Sequence, residues 1–363
     1  MNILITGGGT GGHLSIAKTL AISCKNRGFN VYYIGSTSGQ DRLWFENCDI
    51  FKVCYFLESS GVVNKRGFAK IKSLYLQLKA IFSSIKILKK YKIDAVISVG
   101  GFSAGGASFA SIISRIPLFI HEQNSVLGTL NKILSPFAKA KFCSFNLNGF
   151  INTSYPVNED FFKFARDREK LNTIIFIGGS QGASAINSFA LTLANDLLDR
   201  KINIIHQCGK LDFERIFDEY KNIGFDEIKN FDEGVKFVNK NGFEVVLFSF
   251  SKKLIKYIQK ADFCISRCGA GSLWELCANR LPSLFIPYPY AAKNHQYFNA
   301  LFLGDLCKIT SQDKLNKDDF FDYIDNLDLY ESSKNLKSTI SPNGADEIID
   351  TIIFKLDKKS NKI

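Results

Sequence analysis

Four short runs of glycine and small polar residues have the composition of phosphate-handling turns. They are Gly7–Gly12 (GGGTGG), Gly100–Gly106 (GGFSAGG), Gly178–Ala183 (GGSQGA) and the weaker Cys268–Ser272 (CGAGS). Glycine reaches positive φ and has no Cβ, so successive backbone N–H groups can approach an anion. A helix that starts directly after such a turn adds the positive end of its dipole. One run of this kind is no more than a tight turn. Three in matching positions point to a phosphorylated substrate. Two common alternatives fit poorly. Gly7, Gly9 and Gly12 can be forced into the dinucleotide pattern, but the second strand then ends in Gly35-Ser36-Thr37 with no acid until Asp41. A ribose-binding acid is due near that strand end. No G-x-x-x-x-G-K-[ST] loop is present. A nicotinamide oxidoreductase is the runner-up.

These turns need strands before them and helices after them, and the apolar pattern supplies both. Strands are expected at Asn2–Thr6, Asn30–Ile34, Ala95–Val99, Leu118–His121 and Lys141–Cys143. A second set is expected at Thr173–Ile177, Ile202–Gln207, Glu244–Phe248, Asp262–Ser266 and Ser283–Pro287. Helical periodicity lies between them, at Ser15–Arg27, Phe68–Lys90, Ala183–Arg200, Ser251–Lys260 and Ser272–Asn279. Short buried strands alternating with helices imply parallel sheets built from βαβ units. The pattern restarts after an irregular stretch around Pro156. Two doubly wound α/β domains are therefore expected, at 1–157 and 158–342, with a late helix at 343–358 completing the first. Ligands of such folds bind at the carboxyl ends of strands, here in a cleft that both sheets face.

Bulk properties bound the partners. The 363 residues carry a formal net charge of +11, which suits an anionic partner. The nine cysteines form no CxxC pair and read as buried thiols in a reducing compartment, not as a zinc site. Met1–Thr6 reads as a strand rather than a signal peptide. The longest uncharged run, Ala95–Ser114, contains four glycines and five serines and reads as strand, loop and helix rather than a membrane span. From Ser59 to Ile93 there is no acid, while nine bases occur: Lys65, Arg66, Lys70, Lys72, Lys79, Lys86, Lys89, Lys90 and Lys92. Ile71, Leu74, Tyr75, Leu78, Ile81, Phe82, Ile85 and Leu88 recur there at helical spacing. Such a helix either buries its apolar stripe on its own sheet or lays it on an anionic membrane. Nucleic acid is the competing use of the charge, but no nucleic-acid motif appears.

In order along the chain stand GGGTGGH (Gly7–His13), GGFSAGG, HEQN (His121–Asn124), GGSQGA, SRCGAGSLWE (Ser266–Glu275) and QYFNA (Gln296–Ala300). This series resembles the peptidoglycan glycosyltransferase family that forms lipid II, over nearly the whole chain. The resemblance implies a GT-B fold. It implies inverting transfer of N-acetylglucosamine from UDP-N-acetylglucosamine to the 4-hydroxyl of N-acetylmuramic acid in undecaprenyl-linked lipid I. It implies no metal and no cofactor, and peripheral attachment to the cytoplasmic face of the inner membrane. By position it assigns donor contacts to Thr10, Gly11, Gly12, Asn124, Ser180, Ser251, Ala270, Gly271, Ser272, Leu273, Trp274, Glu275 and Gln296. Backbone N–H groups of Ala270–Trp274 would meet the diphosphate, and Glu275 would accept from a ribose diol, or serve only as a first-turn helix acid.

His13 is the leading base for the acceptor hydroxyl, with diphosphate binding as its alternative. Glu122 could act as base, orient its loop or be structural. The family's linker arginine is replaced by Asn158, for which Arg166 or Arg168 is a candidate substitute. The other functions in play are a different nucleotide-sugar transferase or epimerase of the same fold and a non-catalytic cell-wall scaffold.

Overall fold

The computed structural model describes residues 1–61, 66–179, 181–231, 233–239 and 242–357. The chain forms two compact units. One comprises Met1–Asn158 with the C-terminal segment from Ser341, and the other comprises Glu159–Ile340.

In the first unit seven strands form one parallel sheet. They are β1 (Asn2–Thr6), β2 (Asn30–Ser36), β3 (Val53–Leu57), β4 (Ala95–Ser98), β5 (Leu118–Glu122), β6 (Ala140–Cys143) and β7 (Ile151–Asn152), in the order β3-β2-β1-β4-β5-β6-β7. The order reverses between β1 and β4, so the turns after these two strands are neighbours at the carboxyl edge. The central strands are apolar on both faces in their middles (Leu4, Val96, Ile120) because helices cover both faces of the sheet, and turn polar only toward their carboxyl ends at Thr6, Ser98, His121 and Glu122. The helix Gly344–Asp357 packs against the helix Gly11–Asn26 of this unit. There Arg27 reaches Asp346 at 2.6 Å and Asp350 at 2.7 Å.

The second unit has an eight-stranded sheet. Its strands are β8 (Thr173–Ile177), β9 (Asn203–Gln207), β10 (Asp226–Phe231), β11 (Gly234–Val238), β12 (Glu244–Phe248), β13 (Phe263–Ser266), β14 (Ser283–Phe285) and β15 (Lys308–Ile309), in the order β10-β11-β12-β9-β8-β13-β14-β15. The expectation of purely parallel pairing fails at one edge: β10, β11 and β12 form an antiparallel meander. Val235 and Phe237 alternate inward, while β10 is nearly all exposed, so this polar strand gives no apolar signal in the sequence. The helix expected over Ser251–Lys260 shrinks to Ile255–Ile258.

The basic helix Gly67–Lys90 departs from the usual burial. It turns Ser73, Ala80 and Ser84 inward, and a Cβ on Gly106 would sit 2.9 Å from the Ala80 methyl. Small residues on both partners let it approach the helix Gly105–Ile113 closely. Only Ile87 and Leu88, in its last turns, enter the core, with Ile81 and Ile85 partly buried beside them. Phe68 is 83% exposed and Phe82 66%, and Ile71, Leu74, Tyr75 and Leu78 are exposed with them. Burial of the whole stripe is therefore ruled out. Lys65 lies outside the described residues.

Close packing at the β1/β4 turns gives a stability test. Gly101 has φ 78°, and a Cβ there would lie 2.2 Å from the Gly8 carbonyl oxygen. Gly101→Ala should lower unfolding free energy by about 2 kcal/mol in urea denaturation, through backbone strain and the displaced Gly8 carbonyl.

Candidate functional site

The carboxyl edge of the first sheet carries a small polar cluster. Gly8 N–H donates to Gly100 O at 3.2 Å, and Gly9 N–H donates to Asp41 Oδ2 at 2.7 Å. The buried Asp41 also accepts from Ser36 N and from the Tyr33 hydroxyl, each at 3.0 Å. Two amides of the GGGTGG turn are thus occupied internally. Asp41, the nearest acid after the second strand, holds the loop backbone in place of a ribose. Both facts exclude a dinucleotide pyrophosphate there. They leave Thr10, Gly11 and Gly12, at the start of the helix Gly11–Asn26, as the part of the turn able to meet a ligand.

His13 stands in the first turn of that helix. Its Nδ1 lies 3.0 Å from Thr10 Oγ1 and 3.4 Å from Gln123 Nε2. Its Nε2 faces the other glycine turn, where a Cβ on Gly100 would come within 3.3 Å. Glu122, at the end of β5, is buried. One oxygen accepts from Asn124 N at 3.1 Å, and the other from Gly128 N at 3.0 Å and Asn131 Nδ2 at 2.8 Å. Burial raises its pKa against these bonds. Both oxygens thus accept from the segment that follows β5 and hold it in place. His121, just before it, is buried with neither ring nitrogen hydrogen-bonded, and desolvation, with the charge of His13 second, pushes its pKa down to about 3.

The second unit holds two glycine turns at its own carboxyl edge. The GGSQGA turn is tied to β9: Gly178 N–H donates to Gln207 O at 3.0 Å, and Gly182 lies against Cys208 and Gly209 so closely that a Cβ on either glycine would strike backbone. Behind it, Asn187 Nδ2 donates to Cys208 O at 2.9 Å and to Asp212 Oδ2 at 2.7 Å. Asn187 Oδ1 meets His206 Nε2 at 3.0 Å, and His206 Nδ1 meets the Tyr220 hydroxyl at 3.0 Å. Burial pushes the His206 pKa down to about 3, so its ring is neutral. Ser180 lies outside the described residues.

The CGAGS turn opens the helix Ala270–Ala278. Leu273 N–H already bonds Gly269 O at 3.0 Å, so the amides without an intrahelical acceptor are those of Ala270, Gly271 and Ser272. The Leu273 amide and, by helix geometry, that of Trp274 are therefore not open helix-start donors. Both side chains are buried, Trp274 edge-on to Phe302 at 6.0 Å, and they support the turn from the core. Glu275 keeps part of its surface in solvent, and its carboxyl has no hydrogen-bond partner among the described residues. Desolvation pushes its carboxyl up to about 7. Buried Ser251 accepts from Lys253 N at 3.0 Å, which leaves its hydroxyl proton for another acceptor. Gln296 Oε1 accepts from Tyr288 N at 2.9 Å, which leaves Nε2 as a donor.

Both arginines proposed to stand in for the one missing at Asn158 are engaged within the second unit. Arg168 is wholly buried, with its guanidinium donating to the Ala261, Arg166 and Asn279 carbonyls. Arg166 pairs with Asp262 at 2.6 Å. Sequence reasoning missed the roles of Asp41, Asn131 and Asn187, which bond backbone, and of His206, which bonds the Asn187 and Tyr220 side chains, because only the fold shows these partners.

Two doubly wound units, each with glycine turns at its carboxyl edge, define a GT-B glycosyltransferase. The glycosyltransferase family 28 N-terminal domain matches residues 3–143 and the family 28 C-terminal domain matches residues 173–352, so the chain belongs to glycosyltransferase family 28. Within that family, two relatives carry the name UDP-N-acetylglucosamine–N-acetylmuramyl-(pentapeptide) pyrophosphoryl-undecaprenol N-acetylglucosamine transferase. The one from Helicobacter hepaticus is 51% identical, covering 96% of this chain and 97% of its own. The one from Campylobacter fetus subsp. fetus is 52% identical, covering 97% and 99%. The crystal structure of Acinetobacter baumannii MurG superposes with a TM-score of 0.74 at 27% identity, covering 97% of this chain and 99% of that one.

Glu275 gives a pH test. Its folded pKa, about 7, lies above its ordinary 4.5, so between these values the folded state binds the extra proton. Stability conferred by the neutral carboxyl is therefore present at pH 4 and lost as pH rises to 7. Thermal melts should show this fall in the wild type and a flatter profile in Glu275→Gln.

Proposed function

We propose that this protein is an inverting hexosyltransferase that moves N-acetylglucosamine from UDP-N-acetylglucosamine to the 4-hydroxyl of N-acetylmuramic acid in lipid I, giving lipid II for peptidoglycan. The observation that carries the reading is His13, whose Nδ1 is held by Thr10 and Gln123 while Nε2 faces the Gly100 turn. Near-full-length relatives with that name support the substrates.

In this reading His13 Nε2 takes the acceptor hydroxyl proton as the oxygen attacks C1 of the sugar. The bond from C1 to the UDP oxygen breaks on the opposite face, which inverts the centre. The departing diphosphate gains charge, and the amides of Ala270, Gly271 and Ser272 meet it at a helix start. Glu275 accepts from the ribose diol, and Ser251 lines the nucleotide site. Gln296 donates to the sugar hydroxyls. Thr10, Gly11, Gly12, Asn124 and Ser180 lie near the sugar and diphosphate. Residues 1–157 with the C-terminal helix take the acceptor, and residues 158–342 take UDP.

Among the described residues no helix is long and apolar enough to cross a membrane. The exposed stripe Phe68, Ile71, Leu74, Tyr75, Leu78 and Phe82, set among lysines, supports peripheral docking on the anionic cytoplasmic face of the inner membrane.

Purified enzyme with labelled UDP-N-acetylglucosamine and lipid I should form labelled lipid II. No transfer to lipid I, or equal transfer to unrelated acceptors, would reject the reading. His13→Ala should lower kcat by about 10²–10⁴. Wild-type turnover in that variant would remove His13 from both base and binding roles. In vesicle flotation, changing Lys86, Lys89 and Lys90 to Gln should weaken binding to anionic lipid about a hundredfold, at about 1 kcal/mol per cation. Binding that ignores anionic lipid content would overturn the docking.

A further inference from the structure

His13 can act as a base at Nε2 only in the tautomer that carries its proton on Nδ1. The Nδ1 neighbours therefore decide whether the ring is active. Thr10 Oγ1, at 3.0 Å, can donate or accept, so it does not choose. Gln123 does choose, because the two ends of its amide are a donor and an acceptor. Its Nε2 stands 3.4 Å from Nδ1, at the long end of a hydrogen bond. Its Oε1 is buried near Gly12 and has no partner among the described residues. A half-turn of the amide brings Oε1 onto Nδ1–H and places the NH2 group in the buried position near Gly12 instead. The two ends have nearly the same shape, so the turn needs no other movement.

We propose that Gln123 is a positioning residue that fixes the reactive tautomer of His13 through its amide orientation. With Oε1 on Nδ1–H, the lone pair sits on Nε2, towards the Gly100 turn. After proton transfer the same oxygen and Thr10 Oγ1 stabilise the imidazolium. With the amide reversed, Nδ1 accepts, Nε2 carries hydrogen, and the ring is a donor to an anion rather than a base. Gln123 thus also separates the two roles open to His13.

The ionisable side chains on the neighbouring elements do not make this choice. His121 and Glu122 come from β5; the first is neutral and the second is bonded to its own loop. Asp41 is bonded to Gly9, Ser36 and Tyr33 on the far side of the GGGTGG turn. The first turn of the His13 helix contains no acid, and residues 99–110 contain no ionisable side chain.

The inference rests on the proposed base role, so its test reads the ring directly. The protein contains four histidines, and His13→Gln identifies the His13 signals in ¹⁵N-histidine spectra of the full chain. Wild type should show a protonated Nδ1 and an unprotonated Nε2. Gln123→Met, similar in shape with no acceptor, should give mixed tautomers and lower kcat about tenfold, with KM for UDP-N-acetylglucosamine unchanged. Gln123→Glu restores an acceptor as an anion. It should return the Nδ1–H tautomer, recover turnover and move the acid limb of the kcat profile to higher pH, since the carboxylate favours the imidazolium. A wild-type ring protonated at Nε2, or a Gln123→Met spectrum identical to wild type, would overturn the proposal. The tautomer is measured without substrate. Failure of lipid I transfer with the expected spectrum would therefore count against the function and not against Gln123.

Discussion

The backbone contact between the turns after β1 and β4 constrains the rest of the first unit. Gly8 donates to the Gly100 carbonyl, and Gly101 lies on the Gly8 carbonyl with no room for a side chain. Two strand ends locked at this distance fix where the helix Gly11–Asn26 begins, and hence where His13 stands. The glycines here serve loop-to-loop approach first. Their amides at positions 8 and 9 are occupied, which leaves the helix-start amides without an internal partner of this kind. Asp41 completes the lock by filling, with a carboxylate of the chain itself, the place where an anion would otherwise draw these amides.

The second unit solves the same problem with side chains added. Gly182 and Gly209 meet backbone to backbone, and the buried chain Tyr220–His206–Asn187–Asp212 holds that contact from behind. A neutral His206 suits this place, because burial disfavours the charged ring more than Asp212, one residue removed beyond Asn187, favours it. The CGAGS turn is looser. No heavy atom among the described residues crowds Gly269, and the three helix-start amides have no intrahelical acceptor.

Outside the site, the basic helix shows how packing distance decides what a surface offers. Because the small residues Ser73, Ala80 and Ser84 turn inward, with Ala80 against Gly106 of the neighbouring helix, the large apolar residues have no core to enter. Periodicity alone favours the opposite outcome, as amphipathic helices usually bury their apolar stripe.

The sequence by itself determined the two-unit plan, most central strands and the family. Buried parallel strands are continuous apolar runs, and a turn that must avoid a Cβ has to be glycine. These requirements are local and leave direct marks on residue type. It did not determine the antiparallel edge, because β10 buries almost nothing. It also did not show that Arg168 is a core residue donating to carbonyls, that Leu273 and Trp274 act from beneath their turn, or that Asp41 binds backbone. Tertiary structure alone decided these, since a polar side chain's role depends on partners distant in sequence, here 32 residues for Asp41 with Gly9 and 110 for Gln123 with His13.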